Sequence, residues 1–365
     1  MIKKPAIIVL TFFLMTISSL SGCVDSFNFN DGTIIYEAHP VKIQYNILYG
    51  YRINCSGIGN YEIQYDCDKP ETLVGSVTLN ILYNRDYEET TLANNSMISW
   101  SISGVNDENY ELGIVANVLA ESYLISDLYG ENALTLQEIR SIYPNLVAQY
   151  CKAQIVNNTA YINPDDLTIK TIASNILNQE QTNNSFILAK KLFIWLKENT
   201  NYQIHNDKGS AQPAHITCLL KTGDCDDLSF LYISLCRSID IPARFIRGFL
   251  VEENNGDDNT VAHAWVEVFV GGNIGNNGWV PVECAGDADK VEIEINQNFG
   301  VEDASHLRLF LDDGSNESLN TSISGIRVQY EQDIDIDITS FVEVDNYMML
   351  ESKELHVDES IRSYK

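Results

Sequence analysis

Apolar and polar residues alternate along much of the first third of the chain. Val41, Ile43, Tyr45, Ile47 and Tyr49 recur at every second position, as do Val77, Leu79, Ile81 and Tyr83, and again Ile98, Trp100 and Ile102. A period of two sends successive side chains to opposite faces, so each run predicts a strand with one buried face. Gly- and Asn-containing turns separate the runs, which predicts a small β-sandwich. Thr135-Leu136-Gln137-Glu138 then opens a short helix by the capping-box pattern, and Pro144 interrupts it. Helical stretches follow at about 167–177 and 185–199. Leu228, Leu231, Tyr232, Leu235, Cys236 and Ile239 recur at i, i+3, i+4, i+7, i+8 and i+11, the stripe of a buried amphipathic helix. Asp224 is its expected N-cap, Asp227 sits three residues on in a capping-box place, and Pro242 ends the helix by Ile241. Residues 243–251, 261–270 and 279–284 read as three short strands. Val291, Ile293 and Ile295 alternate with Glu292 and Glu294 and predict another, as do Leu307, Leu309 and Leu311, and Ile326, Val328 and Tyr330. Residues 351–365 carry no strong pattern and read as a flexible tail.

Three side chains on these elements form a chemical set. Cys225 falls in the first turn of the amphipathic helix, where free backbone N–H groups and the positive end of the dipole favour a thiolate. Asp224, Asp226 and Asp227 oppose that effect. Cys225 lies one turn before the apolar stripe, among charged residues, whereas Cys236 occupies an ordinary core place. In the second strand His263, Trp265, Glu267 and Phe269 share one face. Glu283 stands at the end of the third, with Asp287 as the fallback acceptor. A thiol, an imidazole and a carboxylate are what nucleophilic acyl transfer needs: a nucleophile, a base for its proton and an acceptor that orients the base.

Four segments carry a resemblance. Lys221-Thr222-Gly223-Asp224-Cys225-Asp226-Asp227, Ile241-Pro242-Ala243-Arg244-Phe245-Ile246-Arg247-Gly248, His263-Ala264-Trp265-Val266-Glu267-Val268 and Gly278-Trp279-Val280-Pro281-Val282 stand in that order. Together they resemble the transglutaminase-like superfamily, a papain-like group of cysteine acyl-transfer enzymes, over about residues 185–286. The resemblance implies an α+β core, a Cys-bearing helix packed on an antiparallel sheet, with Cys225 as nucleophile and His263 as base. It puts Glu283 where the family usually has aspartate, one methylene shorter. Asp240 stands where the family usually has glycine, a place where a short acidic side chain tolerates a left-handed backbone. The family pairs the cysteine's own N–H with an upstream oxyanion donor, for which Tyr202 and Gln212 are candidates, Trp195 reading as core. No cofactor and no metal is required. A zinc site from Cys225, His263 and Cys284 has neither finger nor helix-pair spacing.

Composition places this core in a wider chain. At 365 residues and 45% hydrophobic content there is material for two or three domains. The start reads as an export signal: Lys3 and Lys4, an apolar run to Leu20, then Leu20-Ser21-Gly22-Cys23, a lipoprotein cleavage box with Cys23 as the lipidated residue. An uncleaved transmembrane anchor is the alternative. Both put the protein outside the cytoplasmic membrane, acting on a protein or peptide substrate at the cell surface. A net charge of −28 excludes nucleic acid as partner and leaves the N-terminus as the membrane tether. In an exported chain cysteines can pair, and Cys55 with Cys67 is the expected bridge. The expected organisation is a signal or anchor (1–22), a tether and β-rich domain ending in a short helix (23–163), the catalytic domain (164–290), a β-rich extension (291–350) and the tail (351–365). A non-catalytic surface lipoprotein keeping this fold is the competing expectation.

Overall fold

The computed structural model describes residues 33–83, 86–105, 107–204, 211–254, 257–322, 327–330 and 333–365. The expected signal segment and Cys23 lie outside them, as does Ile326. The first part of the chain forms seven strands: β1 (Thr33–Gly57), β2 (Tyr61–Asp68), β3 (Gly75–Ile81), β4 (Tyr87–Leu92), β5 (Asn95–Gly104), β6 (Glu108–Glu121) and β7 (Tyr123–Leu124). Next come α1 (Leu136–Ile142), α2 (Pro144–Tyr150), β8 (Gln154–Val156), β9 (Thr159–Ile162), α3 (Leu167–Glu180) and α4 (Ser185–Asn199). The centre of the chain carries β10 (Asn201–Tyr202), α5 (Ala214–Leu220), β11 (Thr222–Gly223), α6 (Cys225–Arg237), β12 (Ala243–Asn254), β13 (Asp257–Phe269) and β14 (Trp279–Val282). The remainder is α7 (Val291–Asn298), β15 (Val301–Glu302), β16 (His306–Leu311), α8 (Asn316–Ser322), β17 (Arg327–Tyr330), β18 (Ile334–Asp358) and β19 (Ile361–Tyr364).

The sandwich consists of two sheets, in the orders β19-β18-β1-β6-β3 and β17-β2-β5-β4. The alternation seen in the sequence is its inner face. Ile43, Tyr45, Ile47 and Tyr49 of β1 pack with Ile63 of β2, Trp100 of β5 and Ile114 of β6 in one core. Cys55 and Cys67 both lie buried in that core as free thiols, so the expected bridge is absent. Their strands run to opposite sheets.

The α6 half is built on one antiparallel sheet, β14-β13-β12-β16, with α6 packed against β12 and β13. Every residue of α6 from Asp227 to Arg237 is buried, because α3, α4 and α5 cover the face away from the sheet. At its end, Arg237 is satisfied by the Ala243 carbonyl, Gln154 and Asp312. Asp240 then turns the chain into β12 at φ 65°, as its short side chain allows. Residues 125–162 pack into this half rather than into the sandwich, since Ile125, Leu128, Leu136, Val156 and Ile162 belong to its core.

Two segments depart from the sequence reading. The expected strand at 291–295 is helix α7. Val291 and Ile295 are also i and i+4, so the same spacing fits one helical face. The expected tail at 351–365 is ordered, as the end of β18 and as β19. The extension beyond residue 290 also divides. α7, β15 and β16 complete the α6 half, while β17 to β19 return to the sandwich.

The sandwich meets the β14-β13-β12-β16 sheet along β16. Glu71 and Arg308 exchange backbone hydrogen bonds at 2.8 and 2.9 Å. The Asn95 amide donates to the Leu311 carbonyl at 2.9 Å and accepts from its N–H at 2.7 Å, standing in for a neighbouring strand. Asp68 pairs with Arg247 across the junction.

Candidate active site

Cys225 opens α6, with Asp224 as N-cap. The buried Asp227 holds this turn in shape. Its carboxylate accepts from the Gln212 backbone N–H at 2.5 Å, the Gln212 side-chain amide at 3.0 Å and the Asp224 N–H at 3.2 Å. One of the three neighbouring acids is thus spent on structure. Gln212 is spent with it, since its amide also donates to the Thr222 carbonyl at 3.1 Å. Of the two expected oxyanion donors, Tyr202 is the one left beside the thiol. It pairs with Gly223 in the parallel β10–β11 bridge. Burial, then the neighbouring Cys225, Asp224 and Glu283, push its phenol above the ordinary range, so its hydroxyl keeps its proton. Trp195 packs against the core, as expected.

His263 projects from β13 opposite Gly248 of β12. A Cβ at Gly248 would run into the Leu307 carbonyl and the Trp265 ring, so glycine lets β16 and the indole close on this strand. The His263 and Trp265 rings stack, with centroids 5.9 Å apart at 20°. The indole N–H is fixed on Glu302 at 2.9 Å. Behind it, Arg308 binds Glu302 and Glu267, and Arg244 binds Glu267. This buried lattice stiffens the strand carrying the imidazole.

Glu283 reaches His263 Nε2 at 2.6 Å through Oε2. Its other oxygen accepts from the Ala285 N–H at 2.6 Å. The side chain therefore folds back on its own backbone, and the extra methylene is absorbed. Burial alone would raise this carboxyl, but His263 and then His306 pull it well below the usual carboxylate range. Asp287 is exposed and has no part in the arrangement. The Cys225 thiol is pushed up by burial, by Asp226, Asp224 and Glu283, while the nearby Ala264 N–H acts the other way. Asp226 is itself raised by burial and by the neighbouring Asp224.

The sequence did not point to His306. Its Nε2 lies 3.2 Å from Glu283 Oε2 and its Nδ1 2.7 Å from Asp303 Oδ1. Nothing in the spacing of Asp303 and His306 ties them to a helix eighty residues upstream. The available signal was the scarcity of histidine, six in the chain. His263, Glu283 and His306 bring three atoms within 4.8 Å of one another, a spacing a metal ion also accepts, and so do Asp224, Cys225 and Asp226. In the first set the atoms are already paired by hydrogen bonds.

Residues 170–284 match the transglutaminase-like superfamily. They run from α3 to the end of the third catalytic strand and contain Cys225, His263 and Glu283, so the chain carries a transglutaminase-like core. The fold is similar to a provisionally assigned cysteine protease from Cytophaga hutchinsonii, at 15% identity and TM-score 0.48, over 91% of this chain and 100% of that one. It is also similar to the periplasmic domain of TgpA from Pseudomonas aeruginosa, at 14% identity and TM-score 0.32, over 71% of this chain and 94% of that one. No curated protein matches the chain. Among the described residues, no helix is long and apolar enough to cross a membrane.

Proposed function

We propose that this protein is a surface-anchored cysteine enzyme that cleaves peptide or carboxamide bonds through Cys225, His263 and Glu283. The observation that carries the reading is the 2.6 Å hydrogen bond between His263 and Glu283, with Cys225 at a helix start. Burial and three carboxylates hold Cys225 as a thiol at rest. The proton passes to His263 as sulfur attacks the carbonyl carbon. The oxyanion takes hydrogen bonds from the Cys225 N–H and the Tyr202 hydroxyl. The C–N bond breaks as His263 returns the proton to the leaving amine, and a thioester remains. Water then attacks, His263 again takes the proton, and the acid leaves with the thiol restored. Water is the default acceptor, so hydrolysis is favoured over cross-linking. Anchoring rests on the N-terminal sequence and its Cys23.

The test is iodoacetamide labelling of the full chain, with Cys225 followed by peptide mass spectrometry. Labelling should slow by about tenfold or more in His263→Ala. Labelling indifferent to His263 would sink the enzyme reading and leave a binding module on an enzyme fold. Ammonia release from a carboxamide peptide, against incorporation of an added amine, separates hydrolysis from cross-linking.

A further inference from the structure

We infer that His306, clamped by Asp303, is a positioning residue that fixes Glu283 and through it the ring of His263. This rests on the triad reading above. The chain of contacts is continuous: His263 Nε2 to Glu283 Oε2 at 2.6 Å, the same oxygen to His306 Nε2 at 3.2 Å, and His306 Nδ1 to Asp303 Oδ1 at 2.7 Å. Asp303 is held in turn by the Ser305 N–H at 3.0 Å and hydroxyl at 2.5 Å. His306 is 6% exposed and packs edge-on against Trp265, with centroids 4.8 Å apart.

Both ring nitrogens of His306 face carboxylate oxygens, which only accept, so each nitrogen must donate. The ring is therefore an imidazolium. Burial works against that charge, but Asp303 and Glu283 outweigh it and raise the group well above its ordinary value. The other charged or titratable groups around the cluster are His263 of β13 at 5.8 Å between rings, Glu252 of β12, and His39 of β1 and Tyr364 of β19, which act on Asp303. A carboxylate gripped by its own backbone and by a fixed cation has little freedom, and the imidazole it orients inherits that order. Misplacing a reacting group by about 1 Å can cost on the order of a hundredfold in rate.

Two substitutions separate positioning from bulk packing. In His306→Gln the side-chain amide replaces the nitrogen facing Glu283. In His306→Asn it replaces only the nitrogen facing Asp303. Cys225 labelling by iodoacetamide in the full chain should stay within a few-fold of wild type in the Gln variant. It should fall by roughly ten- to a hundredfold in the Asn variant, with a displaced pH profile. Equal rates and unshifted profiles in both would overturn the inference and leave the triad standing. Wild-type labelling indifferent to His263→Ala would remove the triad and this extension together. ¹⁵N-histidine NMR of the wild-type chain needs no variant. His306 should carry protons on both nitrogens at neutral pH, and a neutral tautomer there would overturn the inference.

Discussion

Glu283 shows what one methylene does. A longer carboxylate at the end of a strand would ordinarily overshoot its imidazole. Here one oxygen turns back to the Ala285 N–H, and the other meets both His263 and His306. Glu283→Asp, although it restores the acid the related family prefers, should leave the carboxylate short of both rings. Cys225 labelling is expected to slow by about tenfold in the folded variant; an unchanged rate would show that Glu283 does not orient the imidazole. Cys225, His263 and Glu283 could be put forward from sequence because their residue types, order and placement on regular elements are local properties. His306 and Asp303 were not, since a turn on one strand gains its meaning only when the sheet closes. The partners of Gln212 were hidden for a related reason. Its amide has the chemistry of an oxyanion donor, but the buried Asp227 claims it.

At the scale of elements, periodicity worked where one face meets a core and failed where polar groups are buried. α6 and β13 followed their patterns. α7 did not, because Glu294 is buried there, salt-bridged to Lys197 at 3.0 Å and bonded to Asn298 at 2.7 Å. β16 carries the second lesson. It closes the edge of the catalytic sheet, and His306 at its start joins it electrostatically to the end of β14. Because the folded state raises His306, its contribution to stability is fully present below the unfolded histidine value of about 6.5 and is lost as pH rises through the folded value. Glu283 is lowered, so its contribution is present above the ordinary carboxylate range and fades in strong acid. The stability gap between wild type and His306→Gln should therefore be widest in mildly acidic solution and narrow toward alkaline pH. Urea unfolding across that range checks it, and a gap that widens with pH would contradict the imidazolium assignment.

At the scale of the whole molecule, the two ends of the chain close the structure together. β18 pairs with β1 from Thr33↔Asp358 to Gly57↔Ile334, so the last strands complete a sheet begun by the first. This was invisible in the sequence. Most of β18 is exposed, which blunts the alternation, and the strongest anchor in the final segment is a buried charge. Arg362 of β19 is fully buried and donates to the carbonyls of Ile125, Ile295, Asn296 and Phe299 at 2.5 to 3.1 Å. Three of those carbonyls lie at the end of α7 and the residue after it. From the same stretch the Asn298 carbonyl accepts the Glu283 N–H at 2.9 Å, and the Gly300 N–H donates to Pro281 at 2.8 Å. The terminal strand thus holds the segment that holds the Glu283 carboxylate. Arg362→Met keeps much of the side-chain volume and removes every donor, leaving buried carbonyls unpaired at roughly 1–3 kcal/mol each before relaxation. A loss of about 3 kcal/mol or more in urea unfolding is expected, together with slower Cys225 labelling under conditions where the variant is still folded. A variant that lost stability but kept the wild-type labelling rate would show that the C-terminal strand secures the fold without setting the site.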